Sequence, residues 1–193
     1  VLGPTFLSNR FHPKLFRRTL FDYDFIRTSN AFKIALPQDD YNCSAMLDQW
    51  MVDWEIDIVY SVCPDQVDLL YPKYLKAGTV FPGYTGYISD ELIKMWSNPI
   101  AFDKREIDVS YRANVGHAFF GSIGRTKATI GDLFKEKVND IDLSLDISTD
   151  PKDLISGVKW HDFMENSKFC LVTNSGSSLL DPNGDIRKNV NWY

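Results

Sequence analysis

A chain of 193 residues with 44% hydrophobic, 14% aromatic and 24% charged residues has the apolar content for one large domain or two small ones and is not a disordered segment. Twenty-one Lys and Arg against 26 Asp and Glu leave a net charge of −5, which argues against bulk nucleic acid or anionic membrane as a partner and still permits a local basic pocket. No apolar run approaches the ~20 residues of a membrane-spanning helix. The start, Val1-Leu2-Gly3-Pro4, lacks the basic-then-apolar layout of a signal peptide and carries no initiator Met, so the chain is expected to begin within a longer protein.

The first third is the least regular. Residues 1–33 hold six basic and two acidic side chains, with Arg10, Lys14, Arg17 and Arg18 close together. They read as a solvated helix face or as the edge of a groove for an anionic ligand. Asp22-Tyr23-Asp24 has the form of a metal- and sugar-diphosphate-binding DxD but follows no buried strand, and is taken as chance. Lys33 to Pro37 is a short apolar strand that stops at Gln38-Asp39-Asp40-Tyr41. Ser44 to Trp54 carries Met46, Leu47, Trp50, Met51 and Trp54 at helical spacing. Ile56 to Val62 reads as a buried strand, Val67 to Tyr71 as a helix ended by Pro72, and Thr79-Val80-Phe81 as a third strand.

Ser97-Asn98-Pro99 and Asp103 to Glu106 form a polar interruption, after which the alternation restarts. Ile107 to Arg112 is a strand, Thr126 to Asn139 a helix, and Ile141 to Ile147 a strand of period two. Trp160 to Asn166 is a helix and Ser167 to Thr173 a strand. Strand–helix alternation at these lengths predicts parallel βαβ units. The expected architecture is α/β, with two Rossmann-like halves over residues 1–98 and 99–193.

In open parallel sheets ligands bind beyond the carboxyl ends of the strands. That rule selects the turns after each strand. The one from Arg112 to Lys127 contains Gly116, Gly121 and Gly124 with Arg125 and Lys127 at the start of a helix, a composition suited to phosphate or to an ordinary exposed loop. Asn174-Ser175-Gly176-Ser177-Ser178 repeats the arrangement and suits sugar hydroxyls or phosphate, or the capping of a following helix by Ser175 or Ser177. Asp39 and Asp40 are candidate general bases or hydroxyl ligands, or helix caps. No GxSxG supports a serine nucleophile. Cys43, Cys63 and Cys170 are far apart without a CxxC, and His12, His117 and His161 are scattered. Neither a disulfide framework nor a metal site is expected, and reduced thiols fit a cytoplasmic protein.

Taken in order, Gln38-Asp39-Asp40-Tyr41, Tyr71-Pro72, Thr85-Gly86-Tyr87, Ile107 to Arg112, Gly124 with Lys127, and Ser175-Gly176-Ser177-Ser178-Leu179-Leu180-Asp181 with Gly184 give a set that resembles bacterial glycosyltransferases of the GT-B type. The similarity is to the group-1-like, spore-maturation-protein-like branch found in polysaccharide biosynthesis. It runs from about Asp22 to the end. The resemblance implies two Rossmann-like domains facing a cleft, with the acceptor (a glycan or lipid-linked sugar) on the first and a nucleotide-sugar on the second. It implies that Arg112 and Lys127, with Gly124 and Arg125, hold the diphosphate, that Ser175, Gly176, Ser177 and Ser178 line the donor pocket, and that Asp39 or Asp40 serves the acceptor. It implies no metal, and no cofactor beyond the nucleotide-sugar co-substrate. Two departures stand out. Asp40 replaces the Glu of the usual Gln-Asp-Glu-Tyr, and the chain reaches Trp192-Tyr193 before the acidic segment that binds the nucleotide ribose. Both halves are therefore expected to be partial. A binding module without turnover and a sugar-nucleotide epimerase are the rival readings.

Overall fold

A computed structural model describes every residue except Thr85, Tyr87 and residues 191–193, so the Thr85-Gly86-Tyr87 motif and the terminal Trp192-Tyr193 fall outside the described residues in whole or part. The chain divides into two compact units. One comprises residues 1–87 with 179–193, the other residues 88–178.

The first unit opens with the short helix α1 (Pro4–Leu7), then α2 (Pro13–Asp22) and α3 (Asp24–Arg27). Its sheet is parallel, in the order β1 (Ile34–Ala35), β2 (Ile58–Ser61), β3 (Thr79–Pro82), with Ala35 beside Val59 and Val59 beside Val80. Leu2 adds a single parallel bridge to Ala35. Helix α4 (Ser44–Asp53) crosses from β1 to β2, and α5 (Val67–Leu70) lies between β2 and β3. The apolar spacing seen in the sequence is the packing stripe. Leu47, Trp50 and Met51 of α4, with Trp54 just beyond it, are buried against Val59, Phe16, Leu70 and Tyr71. The β1 strand is shorter than its apolar run because the chain turns at once into a tight loop, with Asp39 at φ 55° and Cys43 at φ 56°.

The second unit has α6 (Asp90–Met95), started by Ser89, whose side chain accepts from the Leu92 N–H. Its parallel sheet has the order β5 (Leu145–Ser148), β4 (Ile107–Arg112), β6 (Ser167–Cys170). Helix α7 (Gly121–Lys137) joins β4 to β5, and α8 (Val158–Glu165) leads from β5 to β6. Strand β4 matches the expected residues. Helix α7 begins five residues before the expected Thr126, because glycine content hid a first turn that tertiary contacts hold. Val109, Tyr111 and Ile147 form a small core with Ile130 and Phe134 of α7.

Two boundaries differ from the sequence expectation. The break falls at 87/88 rather than 98/99, and residues 179–190 return to the first unit. The return is stitched by backbone: Cys43 N–H donates to the Asp181 carbonyl at 2.8 Å, Ala45 N–H to Pro182 at 2.9 Å, and Asp181 N–H to Tyr41 at 2.8 Å. The last helix, α9 (Asp185–Val190), follows from this segment and has too short a pattern to be read from sequence. The α/β class with parallel sheets in both units agrees with the expectation.

Candidate functional site

In the second unit the chain leaves β4 for β5 on one side of the sheet and returns past β4 to β6 on the other. The strand order therefore reverses between β4 and β6, and at such a point the connecting segments diverge and leave a crevice at the carboxyl ends of the strands. A cavity of about 260 Å³ lies there, lined by the ends of β4 and β6 together with Lys127, Trp160, Phe163, Asn174 and Ser175. Lys127 is half-buried and its ammonium has no partner among the described residues. Its carbonyl accepts from the Tyr111 hydroxyl at 2.7 Å, which ties this turn of α7 to the sheet. Trp160 and Phe163, with ring centroids 5.8 Å apart, form an aromatic wall. Cationic, aromatic and hydroxyl groups thus converge on one hollow.

Arg112 borders the same cavity, but its charge is committed. Its Nη2 donates to Asp146 Oδ1 at 2.5 Å, its Nη1 to the Tyr111 and Asp146 carbonyls at 3.0 Å each, and its Nε to the Asp153 carbonyl at 3.2 Å. The guanidinium also sits 4.9 Å over the Phe163 ring. With four of five N–H groups occupied, Arg112 joins β4 to β5 rather than standing ready for a diphosphate.

The glycine turn divides. Gly124 and Arg125 line a separate open depression with Gly116 and His117, not the cavity that holds Lys127. Gly124 is buried, and a Cβ there would stand 2.8 Å from the Phe120 Cβ, so the close approach needs glycine. The serine turn divides as well. Ser175 is exposed at the cavity mouth, and Gly176 adopts φ 92°, a conformation glycine reaches without strain. Ser177 Oγ donates to the Phe119 carbonyl at 3.4 Å, and Ser178 Oγ accepts from the Ser122 N–H at 2.8 Å. Ser178, not Ser175 or Ser177, is the capping residue, and it caps a helix 56 residues earlier in the chain rather than the next one. It occupies one of the free N–H groups that a phosphate would use.

The two aspartates of the first unit part company. Asp39 is half-buried and accepts from the Tyr41 hydroxyl at 2.8 Å. Asp40 is wholly buried, accepting from Ser61 Oγ at 2.6 Å and the Tyr71 hydroxyl at 2.8 Å. It presents no surface to an acceptor, unlike Asp39, and its hydrogen bonds tie the turn to β2 and to Tyr71. Burial raises the Asp40 carboxyl above its ordinary range, against the lowering effect of those hydrogen bonds and of Arg10. Burial and then the Asp40 charge push the Cys63 thiol up to about 12. Native alkylation of Cys63 at about pH 8 should therefore run roughly thirty- to a hundredfold slower than in the unfolded chain, because the loss of thiolate is partly offset by the greater nucleophilicity of a more basic thiolate. Mass-spectrometric labelling with iodoacetamide checks this, and comparable native and denatured rates would contradict the buried cluster.

Arg10 also departs from expectation. It is buried, not part of a solvated basic face. Asp22 and Asp24 pair with Arg18 and Arg27 on the surface, and no group of three or more potential metal ligands occurs among the described residues. From sequence, Trp160 and Phe163 are placed only within a helix and Asn174 only within its turn. The signal that finds them is the rule that strand ends at an order reversal carry ligands. No protein-family model matches this chain, and neither the curated proteins nor the solved structures compared with it give a match.

Proposed function

We propose that the chain is all or part of a nucleotide-sugar-dependent glycosyltransferase whose second unit holds the donor in the cavity at the ends of β4 and β6. The observation that carries the reading is the position of an unpartnered ammonium, Lys127, beside an aromatic wall at the reversal of strand order. As the bond from the sugar to the diphosphate breaks, negative charge grows on the leaving phosphate. An ammonium held there is worth more in the transition state than in the ground state. Ser175 and Asn174 supply hydrogen bonds to phosphate or sugar hydroxyls, and Trp160 a surface for a ring. In the first unit Asp39 is the accessible carboxylate of the Gln38 to Tyr41 turn and is assigned to the acceptor hydroxyl.

A panel of nucleoside diphosphates in a thermal-shift assay tests the reading. A ligand at about a hundred times its dissociation constant stabilises by roughly 2.7 kcal/mol. Lys127→Ala should weaken the responding diphosphate by about ten- to a hundredfold, the loss of one charge-assisted contact. No response to any diphosphate, or an equal response in the variant, would overturn the assignment. A second reading, binding without turnover, draws support from Arg112 and Ser178 being occupied, which leaves Lys127 as the unpartnered cation among the described cavity residues. Donor binding with neither transfer nor donor hydrolysis would favour it.

A further inference from the structure

We propose that the outward face of α2 and α3 docks on an anionic lipid surface. This inference is independent of the donor cavity and rests on a different part of the chain. Helix α2 buries Phe16 and Thr19 and packs Leu20 on the first unit's core. The opposite face of α2, by i, i+3, i+4, i+7 spacing, is Lys14, Arg17, Arg18 and Phe21, and Phe25 lies in α3 just past the break at Tyr23. Phe21 is 81% and Phe25 67% exposed, and neighbouring Leu15 and Phe32 are 46% and 62% exposed. So much apolar surface on one short segment marks a site of interaction rather than scatter.

The segment places cations first and rings after them along its axis. Of the acids nearby, Asp22 pairs with Arg18 at 3.6 Å and Asp24 with Arg27 at 2.6 Å, leaving Lys14 and Arg17 without a carboxylate partner among the described residues. A net positive patch beside exposed phenylalanines is complementary to anionic headgroups over an acyl boundary. The net charge of −5 for the whole chain opposes this only weakly, because salt screens charges beyond about 10 Å. An aliphatic Leu15 in the same patch gains from an apolar medium and has no face for stacking bases, which favours lipid over single-stranded nucleic acid.

The test is co-sedimentation of the full chain with vesicles of phosphatidylcholine alone and of phosphatidylcholine mixed with phosphatidylglycerol. The mixed vesicles should pellet the protein and the neutral ones should not. Lys14→Ala with Arg17→Ala should reduce partitioning roughly fivefold per cation removed. Phe21→Ser with Phe25→Ser should reduce it about tenfold or more. Circular dichroism of each variant should match the parent, because the altered side chains are exposed. A Phe21→Trp variant, which keeps an aromatic ring at this position, should show extra fluorescence quenched by brominated lipid in the mixed vesicles. No pelleting with mixed vesicles, pelleting that ignores both double variants, or absent quenching would overturn the proposal. So would retention of a single-stranded RNA oligonucleotide by this face with no vesicle binding.

Discussion

Arg10→Met should lower the stability of the first unit by about 3–5 kcal/mol, the range for stripping a buried charge network of one member. The guanidinium is fully buried, and burial lowers its pKa. Its Nη2 donates to the Gln38 and Asp39 carbonyls at 2.7 Å each, its Nη1 to the Leu7 carbonyl at 3.0 Å and its Nε to the Asn42 carbonyl at 3.1 Å. One side chain thus holds the whole Gln38 to Asn42 loop, including the αL residue Asp39. Methionine fills a similar volume but leaves four carbonyls without that donor, at about 1–3 kcal/mol for each that stays dry. The melting midpoint should fall by about 10 °C or more. A change under about 1 kcal/mol would mean that the loop is rehydrated at little cost.

The same variant should acquire a pH dependence. Arg10 lowers the Asp40 carboxyl while burial raises it, with burial the larger effect. A carboxyl whose folded pKa stands above its unfolded value contributes stability when protonated, and that contribution is lost as pH rises through the folded value. Removing Arg10 lifts the folded value further and extends the loss to higher pH. Midpoints of Arg10→Met measured at about pH 5 and about pH 7 should differ in favour of the lower pH, more than in the parent. Equal slopes would show that Asp40 does not sense Arg10.

Gly131→Val should destabilise the second unit by about 2–3 kcal/mol, the upper part of the overpacking range. The Cβ alone would stand 2.7 Å from Ile147 Cγ2 and 3.3 Å from the Tyr111 ring. Neither is the free end of a long flexible chain, so α7 must lift from the sheet. Gly131→Ala meets the same contact but regains about 1 kcal/mol of helix propensity, and should fall between parent and valine. Lys127 lies one turn earlier on the same helix, anchored by Tyr111, so the valine variant should also weaken diphosphate binding. Hydrogen exchange read separately over α7 and over α4 localises the effect. Loss of protection in α4 alone would contradict it.

Much of the fold was legible where a pattern is local. The stripe Leu47, Trp50, Met51, Trp54 reports a helix because burial on one side imposes a 3.6-residue period. Strand β4 is legible because Val109 and Tyr111 alternate with polar neighbours. The first turn of α7 was not legible, since Gly121 and Gly124 disfavour a helix and only the Phe120 contact and the Ser178 cap compensate. The basic cluster reads as a solvated helix face, and Lys14, Arg17 and Arg18 do lie exposed on α2, whereas Arg10, outside that helix, is buried. In the candidate site Lys127 and Ser175 were expected beside a ligand and do line the cavity. Arg112 and Ser178 carry the same kinds of group and are bound elsewhere, and Arg125 lines a different depression, which composition does not distinguish.

That the chain is α/β with parallel strands, and which turns follow which strands, is written locally. Those properties rest on periodicity and punctuation, which a few consecutive residues decide. The burial of Arg10 and Asp40, the bond from Arg112 to Asp146 and the return of residues 179–190 to the first unit arise only in the folded chain. Each of these pairs residues more than ten positions apart. Whether a charged side chain faces solvent or a carbonyl depends on what the fold brings to it, and no local spacing carries that information.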